Sequence, residues 1–106
     1  MLGLSVVILL LTDASAQEMK GETLFEEKGC ALCHKMDADT IGPSLRNIAT
    51  VYAGKETELL TYLKGQGTPI VDPSRASVMN PQLIKIRTMF EEDLHAISTY
   101  IINSNR

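Results

Sequence analysis

Tryptophan is absent from this chain of 106 residues, and aromatic residues make up only 5% of it. Its side chains therefore hold little of the bulky packing on which small cores usually depend. A chain this short forms one domain and buries only about 60% of the surface its unfolded form exposes, so it needs a disulfide, a metal or a cofactor to be comfortably stable. A multidomain enzyme is excluded. Basic residues are few and scattered: ten Lys and Arg stand against thirteen acids, for a net charge of −3, and no basic cluster occurs. That excludes nucleic acid as a partner, because phosphate-backbone binding needs a concentrated positive face. No alternating apolar–polar run, internal repeat or low-complexity tract is present, which leaves an all-α chain. Cysteine is limited to two residues, so any help they give the core depends on a single pair.

The longest apolar run opens the chain. Leu2 to Leu11 is nearly unbroken, and Thr12 and Asp13 lead into Ala14-Ser15-Ala16, a small-x-small site of the kind signal peptidase cuts. Residues 1–16 read as a secretory signal and 17–106 as the folded domain. Ten helical residues span about 15 Å, half of a ~30 Å bilayer core, so an uncleaved membrane anchor is the poorer reading. The basic residue that usually opens a signal is missing, since none precedes Lys20. Removing 1–16 takes away Asp13 and no base, leaving ten bases against twelve acids, a charge of −2.

An exported chain changes how its cysteines are read. Cys30-Ala31-Leu32-Cys33-His34 is C-x-x-C-H, a pattern open to a thioredoxin-type dithiol, half of a zinc site, a plain disulfide or a c-type haem attachment. A dithiol of that type needs a βαβ setting, and no β-branched strand run precedes Cys30. Zinc needs four ligands, and besides this trio only His95 remains. A disulfide across two residues closes a tiny loop and gives the adjacent His no role. Covalent attachment of one haem c uses every element: each sulfur adds to a vinyl group, and the next residue's imidazole reaches the iron.

Helix signals surround the motif. Gly21 to Gly29 reads as a short helix, acidic early, with Lys28 late and Gly29 as its stop. Leu45–Val51 and Glu56–Leu63 read as two more helices, separated by Ala53-Gly54. Gly65-Gln66-Gly67-Thr68-Pro69 breaks regular structure, Asp72-Pro73 looks like an N-cap with Pro at N1, and Ser74–Val78 forms at most one turn, so 64–87 is expected to be mostly loop. Thr88-Met89-Phe90-Glu91 reads as a capping box ahead of a last helix that places Leu94, Ile97 and Ile101 on one face and ends near Asn103.

These residues bear a resemblance. Leu24-Phe25-x-x-Lys28-Gly29-Cys30-x-x-Cys33-His34, then Ile41-Gly42-Pro43-Ser44-Leu45, then Val51-Tyr52-Ala53-Gly54, resembles the small class I cytochromes c of bacterial periplasm, electron donors to nitrite reductases and terminal oxidases. It covers nearly all of 20–106, is most specific from Leu24 to Gly54 and fades from Gln66 to Arg87. The resemblance implies an all-α fold of three to five helices wrapped around one haem, with the first and last helices crossing at Gly21, Phe25 and Tyr100. It also implies that the Pro43 carbonyl accepts the His34 Nδ1 proton.

For the sixth iron ligand the candidates are Met19, Met36, Met79, Met89 and His95. Met36 is tethered two residues past His34 on the proximal side, Met19 precedes the first helix, and Met89 sits at N1 of the capped last helix. Met79, beside Asn80-Pro81, lies in the irregular segment, where an extended chain can lay its thioether against iron; the family likewise takes its distal Met from a Pro-bearing loop. His95 is the bis-imidazole alternative, though a solvated helix His is its commoner fate. Gln82 and Asn80 are candidate amide partners for the sulfur, and Arg46 can pair with a haem propionate or stay solvated. Ligation by His34 and Met79 suits a single-electron carrier, not an enzyme, which meets respiratory redox proteins transiently in the periplasm as a monomer. The alternatives are a haem subunit of a sulfur- or sulfite-oxidising complex, and a ligand-binding haem protein with an open sixth position. Ala31, Leu32, Val78 and Pro81 flank the attachment regions and form the expected docking patch.

Overall fold

The computed structural model describes residues 16–105. The apolar run and the expected cleavage motif up to Ser15 lie outside the described residues. Helix α1 is described over residues 16–27, followed by α2 (Leu45–Val51), α3 (Glu56–Leu63), α4 (Ala76–Ile86) and α5 (Glu91–Asn103). Single 3-10 turns occur at Cys30–Leu32 and Pro73–Arg75. No strand occurs among the described residues.

Helix α5 organises the core. Leu94, Ala96, Ile97, Ser98 and Ile101 lie buried on it, and both α2 and α3 pack against it. Their contributions are Leu45, Ile48 and Ala49 from α2 and Leu59 and Leu63 from α3, each at helical spacing. Ser44 caps α2, its hydroxyl accepting from the Asn47 N–H at 3.0 Å.

The α1–α5 crossing falls where the resemblance implied. At Gly21 an added Cβ would lie 2.0 Å from the Ala96 carbonyl oxygen and 2.9 Å from Tyr100 Cβ, so only a residue without a side chain lets the backbones meet. Phe25 and Tyr100 pack edge to face at 5.5 Å between ring centroids, and Lys20 pairs with Asp93 at 2.7 Å across the same junction.

Several expectations are corrected. Helix α1 includes Met19, which is exposed, instead of starting at Gly21. The segment 64–87 is not mostly loop. After the turn at Pro73–Arg75 the chain continues into three turns of α4, because Ala76, Met79, Leu83 and Ile86 recur on one face and the last two are buried. Pro81 lies inside α4 and removes the bond its N–H would have made to the Ser77 carbonyl, but both residues are exposed, so water can satisfy that oxygen. Asp72 heads its turn without a side-chain cap to backbone, since its carboxylate is taken by the Ser74 hydroxyl at 2.8 Å and the Arg75 Nε at 2.6 Å. Thr88 does not cap α5. The first-turn amides of Asp93 and Leu94 bond back to the Phe90 carbonyl, Phe90 makes no side-chain cap, and the Glu91 carboxylate pairs with Lys64 instead of reaching back. Glu91, Glu92 and Asp93 still place three acids in the first turn, where they favour the positive end of the helix dipole. Met89 accordingly precedes the helix and packs half-buried on the core.

Candidate functional site

The end of α1 delivers the C-x-x-C-H residues to the edge of a cleft. Gly29 follows the helix with φ 82, and the Cys30–Leu32 turn closes with the Cys33 and His34 amides both bonding to the Cys30 carbonyl, at 3.2 and 3.0 Å. Cys30 and Cys33 are both half-buried, and no disulfide joins them. Burial pushes the Cys30 thiol above its ordinary range, with the proximity of Cys33 adding to the effect and a backbone hydrogen bond opposing it.

His34 is held from two sides. Its Nδ1 meets the Pro43 carbonyl oxygen at 2.8 Å; a carbonyl can only accept, so Nδ1 carries the proton and Nε2 is the nitrogen with a free lone pair. Gly42 lies flat against the ring, where a Cβ would come within 2.6 Å of His34 Cε1. The loop bringing Gly42 and Pro43 there is fixed by the Gly42 amide bonding to the Cys33 carbonyl at 3.0 Å and the Leu45 amide to the Lys35 carbonyl at 2.8 Å.

The cleft is also lined by core side chains, among them Phe25, Ile48, Tyr52, Leu59, Leu63 and Ile97, and by Met79 and Gln82 from α4. It encloses about 1230 Å³ of non-protein space, its open mouth included. The charged residues of its lining, Lys28, Asp72 and Arg75, are not buried. An apolar interior with an ionic rim suits a large flat ligand that is greasy over most of its area and charged at one edge.

The family profile described as cytochrome c matches residues 18–105. The chain belongs to the cytochrome c family. It falls among the small bacterial class I members. It is similar to cytochrome c-551 of Stutzerimonas stutzeri, at 44% identity over 48 residues, 45% of this chain and 44% of the relative. Cytochrome c-551 of Pseudomonas aeruginosa is 34% identical over 55 residues, 49% of this chain and 53% of the relative. Cytochrome c-552 of Hydrogenobacter thermophilus is 38% identical over 45 residues, 42% and 45% of the two chains. The chain spans about half the length of these curated relatives.

This cytochrome binds one haem c covalently through Cys30 and Cys33, its only cysteines. The cleft fits that group: both cysteines and His34 line it, its interior is largely apolar core side chains, and its charged lining residues Lys28, Asp72 and Arg75 are not buried. The remaining candidates separate by position. Of the methionines at 19, 36, 79 and 89, Met79 lines the cleft and the others do not. His95 lies away from it on the α5 surface, with Nδ1 2.6 Å from Gln17 Nε2 and Nε2 3.8 Å from Glu56 Oε1. Asn80 does not line the cleft, whereas Gln82 does and accepts from Lys85 Nζ at 3.2 Å. Arg46 sits exposed on α2, paired with Asp37 at 2.9 Å, and is not among the residues lining the cleft. Arg75, not singled out from sequence, is. Its one sequence signal is its place three residues after the turn-opening Asp72.

Proposed function

We propose that this cytochrome is a single-electron carrier whose haem iron is ligated by His34 Nε2 on one face and the Met79 thioether on the other. The observation that carries the reading is that one cleft takes in Cys30, Cys33, His34 and a single methionine. When bound, haem c supplies an iron that gains and gives up one electron at a time. The chain's residues set the conditions for that exchange. Pro43 holds the His34 ring by its Nδ1 proton, which leaves Nε2 free to ligate the iron and strengthens it as a donor. The Met79 thioether would give the iron a neutral, soft ligand that favours the reduced state, and with His34 and Met79 both holding the metal no substrate would reach it. The role is therefore electron transfer, not enzymatic turnover.

Export to the periplasm follows from residues 1–16 acting as a cleaved signal, with the mature chain starting at Gln17. Among the described residues no helix is long and apolar enough to cross a membrane. Docking would use the residues flanking the attachment regions, where Leu32 is 74% and Val78 54% exposed, Pro81 is exposed and Ala31 half-buried; of these, Val78 lines the cleft. Such a small apolar patch suits brief encounters with redox proteins, burying less than about 1,200 Å². With residues 1–16 removed the charge is −2 and no run of one sign occurs, so charge steering is modest and the encounter rate should depend only weakly on salt.

The decisive test is spectroscopic. Oxidised holoprotein should show the weak far-red charge-transfer band of an iron–thioether bond; Met79→Ala should abolish it and let carbon monoxide bind the reduced form. Met89→Ala should keep the band and only lower stability. Loss of the band in Met89→Ala with its retention in Met79→Ala would reverse the assignment.

A further inference from the structure

Arg75 joins two parts of the chain that both line the cleft. Its Nε holds Asp72 Oδ2 at 2.6 Å within its own turn. Its Nη1 reaches back to the Ile41 carbonyl at 3.0 Å and the Thr40 carbonyl at 3.4 Å, across 34 and 35 residues of sequence. Those carbonyls belong to the loop that ends in Gly42 and Pro43, the two residues that hold the His34 ring. On its other side Arg75 is the N-cap residue of α4 and stands four positions before Met79, one helical turn away on the same face. Both line the cleft.

The helix thus anchored is seated in the core by Leu83 and Ile86 in its second half, past Pro81. Its first half carries Met79, which is only partly buried, and adjoins the Pro73–Arg75 turn that Arg75 ties down. Pro81 removes one of its internal bonds. Ser74 and Lys85 bond within their own turns, to Asp72 and Gln82. A guanidinium fits this task because its rigid fork serves a carboxylate and two carbonyls at once, which the single ammonium of a lysine cannot do in the same geometry.

We infer that Arg75 is a positioning residue, a latch between the Thr40–Ile41 loop on the His34 side of the cleft and the helix bearing Met79, and that it sets how readily the Met79 side opens. The inference rests on Met79 being the distal ligand. Opening the latch leaves the iron–sulfur bond formed at rest but makes the segment cheaper to swing aside, so an external ligand competes better.

The test titrates oxidised holoprotein with imidazole, in wild type and in Arg75→Gln, Arg75→Lys, Arg46→Gln and Met79→Ala. Arg75→Gln is expected to bind imidazole about tenfold more tightly while keeping its far-red band without imidazole, as loss of charge-assisted bonds to two carbonyls implies. Arg75→Lys should fall between it and wild type, and Arg46→Gln should match wild type. Arg75→Gln with wild-type imidazole affinity overturns the latch. So does a lowered midpoint potential at unchanged affinity, which would mean that Arg75 acts on the haem carboxylates and not on the helix. A far-red band persisting in Met79→Ala overturns the ligand assignment and the latch together, whereas its loss there with Arg75→Gln behaving as wild type overturns the latch alone.

Discussion

Replacing Gly21 by alanine tests the helix crossing that closes the fold over the haem. The new Cβ would lie 2.0 Å from the Ala96 carbonyl oxygen, 2.7 Å from its carbon and 2.9 Å from Tyr100 Cβ, and real Cβ contacts essentially never fall below 3.0 Å. Two of those atoms are backbone of α5, which is packed on its other faces by α2 and α3, so α1 must retreat by about 1 Å. Overpacking of this kind costs roughly 1–3 kcal/mol. The edge-to-face contact of Phe25 and Tyr100 moves with it, and such pairs contribute about 0.5–1.5 kcal/mol beyond their buried area. Against this, alanine gains about 1 kcal/mol of helix propensity over glycine. The net expectation is a loss of about 2 kcal/mol, or a Tm lowered by roughly 8–16 °C for a domain of this size. Thermal unfolding of the oxidised holoprotein, followed together by far-ultraviolet circular dichroism and the Soret band, measures it. A Tm equal to or above that of wild type would refute the reasoning, because it would mean that the crossing has slack and propensity decides.

Covalent attachment predicts that haem survives denaturing electrophoresis with haem staining and does not extract into acid acetone; Cys33→Ala should retain at most one thioether bond. Burial pushes the Tyr52 phenol up to about 12 from its ordinary 10.0, so the folded state favours the neutral phenol: this contribution is complete below pH about 10 and is lost as pH rises toward 12. Denaturant titrations from pH 9 to 12 should show that decline, and Tyr52→Phe should flatten it. Leu32→Ser with Val78→Ser should slow electron self-exchange between oxidised and reduced copies severalfold, read from NMR line broadening, with midpoint potential unchanged; an unaltered rate would remove the apolar patch from the docking surface. Self-exchange in wild type should vary only weakly with ionic strength.

Local features were legible because their causes are local. Two residues between Cys30 and Cys33 followed directly by His34 define an attachment site whatever the rest of the chain does. The bounds of α2 and α3 likewise follow from apolar spacing and flanking turn residues, and the structure reproduces Leu45–Val51 and Glu56–Leu63 as expected. The capping box failed for a tertiary reason. Lys64, a neighbour in space and not in sequence, takes the Glu91 carboxylate, and a sequence pattern cannot register such a competitor.

Chain order by itself therefore determined an all-α domain and the site of covalent haem attachment, while the glycine where two helices meet was implied by the family resemblance. Only the tertiary structure decided which further residues share the cleft. It wound 76–86 into a helix despite Pro81, because an apolar face with a core to bury outweighs one lost backbone bond exposed to water. It left Met89 on the core and Met79 in the cleft, and it put Arg46 on the open surface and Arg75 at the rim. The physical reason is reach: a spacing fixes partners a few residues apart, whereas the separation of 34 positions between Arg75 and Ile41 can be closed only by packing of the whole chain.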